Sequence, residues 1–168
     1  AHRGWSVDDA LRGEKWDFLR LKAHPADCTG CHLCVTACVA SHGDGGYGNH
    51  LARLRIEPGR QPGDHRVMFC TLCQKCIDVC PEAALRWHPQ TGAVELLPEL
   101  CNNCGKCVEI CPTQVIVRGE GGPEFAAGAP EGWLPVVCDL CGGEPQCARI
   151  CPTDAIYVAD RPRFQPGG

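Results

Sequence analysis

Cys70-Thr71-Leu72-Cys73-Gln74-Lys75-Cys76-Ile77-Asp78-Val79-Cys80-Pro81 and Cys101-Asn102-Asn103-Cys104-Gly105-Lys106-Cys107-Val108-Glu109-Ile110-Cys111-Pro112 repeat one rhythm, C-x2-C-x2-C-x3-C closed by proline. Outward from this central pair lie two more groups: Cys28, Cys31, Cys34 and Cys38 on one side, and Cys138, Cys141, Cys147 and Cys151 on the other. All sixteen cysteines of the 168-residue chain fall into these four groups. Three groups keep the spacing without deviation, and the fourth is stretched between Cys141 and Cys147.

The spacing dictates a chemistry. Three cysteines at C-x2-C-x2-C let one loop wrap a corner of an iron-sulfur cube, while the fourth, carried off on a short helix, faces a second cube. Groups of this kind therefore work in exchanging pairs, and four groups call for two pairs holding four [4Fe-4S] clusters. Sequence order alone leaves the pairing open. The expected role is electron relay. No nucleophile-base constellation and no phosphate-cradling glycine loop accompany the cysteines, so no catalytic residue is expected and the chain is not expected to be an enzyme by itself. A zinc-stapled interaction module is the alternative of a different class, because C-x2-C pairs also build structural zinc sites. Tetrahedral zinc, however, has no use for a third cysteine at the same spacing or for the following proline.

Local signals place each group on loop, short helix and strand. Pro81 and Pro112 end the helical turns. Ala84-Leu85-Arg86-Trp87 then reads as a strand, His88-Pro89-Gln90-Thr91-Gly92 as a turn, and Ala93-Val94-Glu95-Leu96-Leu97 as its hairpin partner; Val115-Ile116-Val117 is the corresponding strand after Cys111. Cys151-Pro152-Thr153-Asp154-Ala155-Ile156-Tyr157-Val158 repeats the ending. Val39 stands where the other groups have proline, so the first helix is expected to run on through Val39-Ala40-Ser41-His42, ahead of the glycine-rich loop Gly43 to Gly48. Residues 57–64 and 119–132, rich in glycine and proline, read as linkers. Ser6 with Asp9 fits a weak capping box, and Trp5, Leu11, Trp16, Phe18 and Leu19 give residues 1–22 an apolar surface suited to packing back on the chain or to docking.

Composition agrees with metal-built cores. Apolar residues are 44% of the chain, about a third once the sixteen cysteines are set aside, which is little for an ordinary core. The apo-chain is expected to be largely unfolded. The formal charge is -4; four cubanes at roughly -2 each would bring the loaded chain to roughly -12, a field that repels nucleic acid. There is no stretch of eighteen apolar residues and no leader-like start, and dense cysteine under those conditions points to metal in a reducing cytoplasm. His32 and His42 read as surface or hydrogen-bonding neighbours of the first group, since thiolates are plentiful. Lys75 and Lys106 put positive charge beside a third cysteine, where it would raise a cluster's potential.

Cys28-Thr29-Gly30-Cys31-His32-Leu33-Cys34-Val35-Thr36-Ala37-Cys38-Val39 and the stretched Cys141 to Cys147 spacing resemble the four-cluster ferredoxin-type subunits of bacterial redox complexes, among them dimethyl sulfoxide reductase, formate dehydrogenase and formate hydrogenlyase. The resemblance covers about residues 23–160. It implies an α+β fold of two bacterial-ferredoxin-like domains, one inserted into the other: an outer domain of residues 23–60 and 119–160, an inner domain of residues 61–118, an N-terminal extension over 1–22 and a tail over 161–168. It also implies four ligand sets: Cys28, Cys31, Cys34 and Cys151; Cys38, Cys138, Cys141 and Cys147; Cys70, Cys73, Cys76 and Cys111; Cys80, Cys101, Cys104 and Cys107. Being compact, the chain is most similar to the small iron-sulfur subunit of multi-subunit tungsten aldehyde oxidoreductases, which implies a catalytic tungsten or molybdenum partner, a flavin or NAD acceptor subunit, and self-association into filaments. A formate dehydrogenase or hydrogenase subunit is the alternative within this class. The regular second group lacks the longer loop that many relatives carry.

Overall fold

The computed structural model describes residues 20–42, 49–119 and 133–159. The proposed capping box, the apolar residues of the extension up to Leu19, the Gly43 to Gly48 loop, most of the 119–132 stretch and the tail lie outside them. The elements run β1 (Arg20–Ala23), α1 (Leu33–Ser41), β2 (Leu54–Pro58), β3 (His65–Phe69), α2 (Lys75–Asp78), β4 (Leu85–Trp87), β5 (Val94–Leu96), α3 (Lys106–Ile110), β6 (Val117–Gly119), β7 (Leu134–Val136), α4 (Gln146–Arg149) and β8 (Ile156–Ala159). No helix among the described residues is long and apolar enough to cross a membrane.

Proline sets the helix lengths. α2 and α4 are four residues and α3 is five, each stopped ahead of a Cys-Pro step, whereas α1 continues for nine residues through Val39 to Ser41. The extra turn buries Val39 at 3% exposure beside Cys38 in the hydrophobic core.

Among the described residues all four sheets are two-stranded and antiparallel: β1 with β8, β2 with β3, β4 with β5, and β6 with β7. Leu85 faces Leu96 and Trp87 faces Val94, closing the hairpin read from residues 84–97, with Gly92 N–H donating to the His88 carbonyl at its turn. β1 starts at Arg20, inside the stretch expected to be an extension, and pairs Leu21 with Val158 and Ala23 with Ile156. Ile156 is fully buried and Leu21 is buried, so this pairing seals an apolar face rather than a loose arm.

Residues 57–64 are not a linker. They close the β2–β3 hairpin, where Gly59 N–H donates to the Asp64 carbonyl and Asp64 N–H to the Gln61 carbonyl. Glycine and proline there serve a tight reversal. β3 therefore stays with β2: Val67, expected in the inner unit, joins one hydrophobic core with Leu21, Val35, Val39, Ala52, Leu54, Leu140 and Ile156, residues expected in the extension and the outer domain. A second, smaller core holds Leu85, Val94, Ile116 and Val137 with Cys76 and Cys107. Ala93, at the foot of β5, belongs to the first core and ties the two together.

Candidate metal centres

Each cysteine loop is built on left-handed backbone. Gly30, Leu72, Asn103 and Leu140, the residues before the second cysteine of their groups, have φ of 70°, 57°, 60° and 55°. His32, Gln74 and Gly105, the residues after the second cysteine, have φ of 60°, 67° and 78° and open α1, α2 and α3. Ala83, Gln114 and Asp154 repeat the conformation two residues after each Cys-Pro proline. Alternation of right- and left-handed residues turns successive N–H groups to one side, forming a concavity that favours anionic groups, iron-sulfur centres among them.

The loops enclose four cavities, three lined by four cysteines and one by five. One contains Cys28, Cys31, Cys34 and Cys151; the next Cys38, Cys138, Cys141 and Cys147; the third Cys70, Cys73, Cys76 and Cys111, with Cys138 at its edge; the last Cys80, Cys101, Cys104 and Cys107. α1 supplies Cys34 to the first cavity and Cys38 to the second. Cys138 lines both the second and the third, so these two are neighbours. A wider cavity, lined by Arg53, His88, Thr91, Glu95, Asp139 and Gly142 among others, contains no cysteine.

The thiol electrostatics show what these cavities require. Burial, with smaller contributions from neighbouring cysteines, pushes Cys76 and Cys147 up to about 12, and Cys34 and Cys107 up to about 11. Four thiols packed this closely cannot ionise without a cation among them. The closing cysteines are prepared for charge. Burial opposes ionisation of Cys151 and Cys111, yet hydrogen bonds from the N–H groups of Ile156, Thr153 and Ala155 with the Thr153 hydroxyl, and from the Thr113 hydroxyl with the N–H groups of Val115, Ile116 and Thr113, outweigh it and lower both. Cys38 and Cys80 accept N–H bonds from Arg53 and Ala84, both at 3.3 Å. A set of sixteen soft sulfur donors, four per cavity and cradled by backbone N–H groups, fits a cubane in each.

His32 lines the first cavity as the residue that opens α1. His42 lines the second, its Nε2 2.9 Å from Asp139 Oδ1 and its Nδ1 2.6 Å from the Cys38 carbonyl. Burial disfavours its charge, but hydrogen bonds to Asp139 and Cys38 hold the imidazolium up to about 10. The donor atoms of His42, Asp139 and Cys141 lie within 4.8 Å of one another; with both ring nitrogens occupied, His42 donates hydrogen bonds instead of a lone pair. Lys75 and Lys106 begin α2 and α3 on the exposed surface. Two residues the motifs do not mark also belong here. Asp139 accepts from Cys141 N–H at 2.9 Å, and Arg53 is buried at 8% exposure with its Nε donating to the Val137 carbonyl at 3.0 Å. The only signal for Arg53 in sequence is a charge inside the apolar run Leu51-Ala52-Arg53-Leu54.

Gly30 lies where the first loop meets the β2–β3 hairpin. A Cβ there would fall 2.5 Å from His65 Nε2, on a backbone that already has φ of 70°. Gly30→Ala is expected to cost about 1–2 kcal/mol for the left-handed residue, plus the displacement of His65. Gly63→Ala, also at positive φ but with nothing within 4 Å, carries the conformational cost alone. Thermal melts of the iron-loaded variants should show the larger drop for Gly30→Ala; equal drops would mean that the His65 ring yields freely.

A 4Fe-4S dicluster domain model matches residues 69–115, and a second model of the same description matches residues 27–85 and again 100–156, together well over half of the chain. No curated protein matches the chain.

Proposed function

We propose, for a chain that belongs to the 4Fe-4S dicluster, ferredoxin-type family, that it carries four [4Fe-4S] clusters in the ligand sets that line its four cavities and relays electrons between a catalytic subunit and an acceptor subunit. The carrying observation is the grouping itself: four cavities, each lined by at least four cysteines, with all sixteen used and only Cys138 lining two. When bound, such centres supply reversible one-electron uptake. The chain's own residues do the rest. The cysteines hold and space the centres, Val35, Val39, Leu54, Val67 and Ile156 keep water from the outer pair, and Leu85, Val94 and Ile116 do so for the inner pair.

Packing supports the domain reading. α1 with α4 and β1 with β8 draw the first and last groups together, and α2 with α3 joins the middle groups, an arrangement that supports an inner ferredoxin-like unit inserted in an outer one. The β2–β3 hairpin and its packing favour starting the inner unit at Cys70 rather than at residue 61.

Among complexes, the small iron-sulfur subunit of a cytoplasmic tungsten aldehyde oxidoreductase is the reading favoured by the compact four-group pattern, with a flavin or NAD acceptor subunit and filament formation as its corollaries. Anaerobic isolation from the native host tests both levels. Brown protein with about 16 iron per chain, bleaching on reduction, is expected; a colourless zinc protein would overturn the electron-transfer reading. Tungsten in the co-purifying complex is expected, whereas molybdenum or nickel would assign the chain to a formate dehydrogenase or hydrogenase instead.

A further inference from the structure

We propose that Trp133 is the water shield of the centre held by Cys80, Cys101, Cys104 and Cys107 and thereby sets its potential; the inference rests on the cluster reading above. Trp133 lines the cavity of this set together with Pro135, and Val137 lines the cavity of the third set. These are alternate residues along the β7 segment, so one face of it serves both inner cavities. Among the described residues, Trp133 is the aromatic side chain in either lining. It is half-buried, so the indole stands between the cavity and solvent.

The indole is fixed by two neighbours. Arg118 of β6, paired with Pro135, sets its guanidinium carbon 4.6 Å from the centroid of the Trp133 ring, a cation–π contact. Gly105 gives the ring room: a Cβ there would fall 3.3 Å from Arg118 Nη2 and 3.8 Å from Trp133 Cζ2. His32 and Gln74 hold the corresponding position in the first two groups, after the second cysteine. Gly142 of the last group has nothing within 4 Å among the described residues, so Gly105 is where a side chain is given up to a neighbouring ring. Cys104 is exposed, so water reaches this centre from that side, and an indole resting beside the next residue limits how far. Reduction adds negative charge to the centre, and water stabilises that charge. Excluding water therefore lowers the potential, and admitting it raises the potential.

The test is an anaerobic redox titration followed by electron paramagnetic resonance, with iron counted in each sample and deuteron coupling to the reduced centre measured after transfer to heavy water. Cys104→Ser, which perturbs one ligand of this set, identifies the signal. In fully loaded Trp133→Ala the midpoint of this centre should rise by at least a tenfold change in the reduced-to-oxidised ratio, about 59 mV for one electron. Its deuteron coupling should grow as well, with the other three centres unchanged in both. Trp133→Phe, which keeps a smaller apolar ring, should move both readouts the same way by less. If Trp133→Ala does not retain its iron, Trp133→Phe carries the test alone. An unchanged midpoint and coupling in a loaded variant would overturn the proposal while leaving the cluster reading intact. So would a midpoint that rises with no gain in coupling, because Arg118 released toward the centre does that by charge alone. A wild-type chain that binds no iron would sink the cluster reading itself.

Discussion

Stripped of iron by a chelator under anaerobic, reducing conditions, the chain is expected to lose its cooperative fold. The smaller core contains four non-cysteine residues, Leu85, Val94, Ile116 and Val137, around Cys76 and Cys107. The strands that frame it are three residues long, and an isolated two-stranded hairpin of that length is marginal in water. A structural zinc contributes about 10–16 kcal/mol to a small domain, and whole domains are stable by only about 5–15 kcal/mol. Loss of four centres of comparable worth exceeds any plausible reserve. Without metal, the cavities are also left as voids lined by thiols, which forfeit packing as well as coordination. Far-UV circular dichroism and amide dispersion by nuclear magnetic resonance would check this. A well-dispersed apo-chain that melts cooperatively would show that the apolar cores suffice and that the clusters are passengers.

Cys151→Ala is expected to remove one centre and leave three, taking iron from about 16 to about 12 per chain. Cys151 follows the last helix in sequence, close to Cys147, yet it lines the cavity of Cys28, Cys31 and Cys34 more than a hundred residues upstream. Its N–H cradle, supplied by residues 153 to 156, is aimed at that same cavity, and Thr153 Oγ1 donates to the Asp27 carbonyl at 2.7 Å, anchoring the turn to the first loop. Loss should therefore be felt by the first group. Combining Cys151→Ala with Cys31→Ala gives the decisive count: both residues serve one centre, so the double variant should keep about 12 iron. A fall to about 8 would place them on different centres and overturn the ligand sets. A second readout is stability, because the cavity of this set takes Cys34 from α1 and is lined by Ile156 of β8, the strand that pairs with β1.

Most of what local rules control was legible in the chain. Cys-Pro steps stop α2, α3 and α4 because proline removes a donor and clashes with the preceding turn, and Val39 in place of proline lets α1 continue to Ser41. The β4–β5 hairpin followed from two short apolar runs around a Pro and Gly turn. The same local rules misread residues 57–64, because glycine and proline mark a tight hairpin turn and a linker alike, and only the register of Leu54 against Phe69 distinguishes them.

By itself, the sequence determined the chemistry: four sets of soft ligands at a spacing one loop can wrap around a cube, because thiolate identity and loop reach are local quantities. Tertiary structure decided the arrangement. It brought β1 against β8 and α1 against α4, put Val67 of β3 in one core with Leu21, Val35 and Ile156, set Asp139 against His42, and buried Arg53 against a carbonyl 84 residues away. Those choices depend on which apolar faces are sealed and which charges are taken out of water, and burial is a property of the assembled chain that no short window of residues contains.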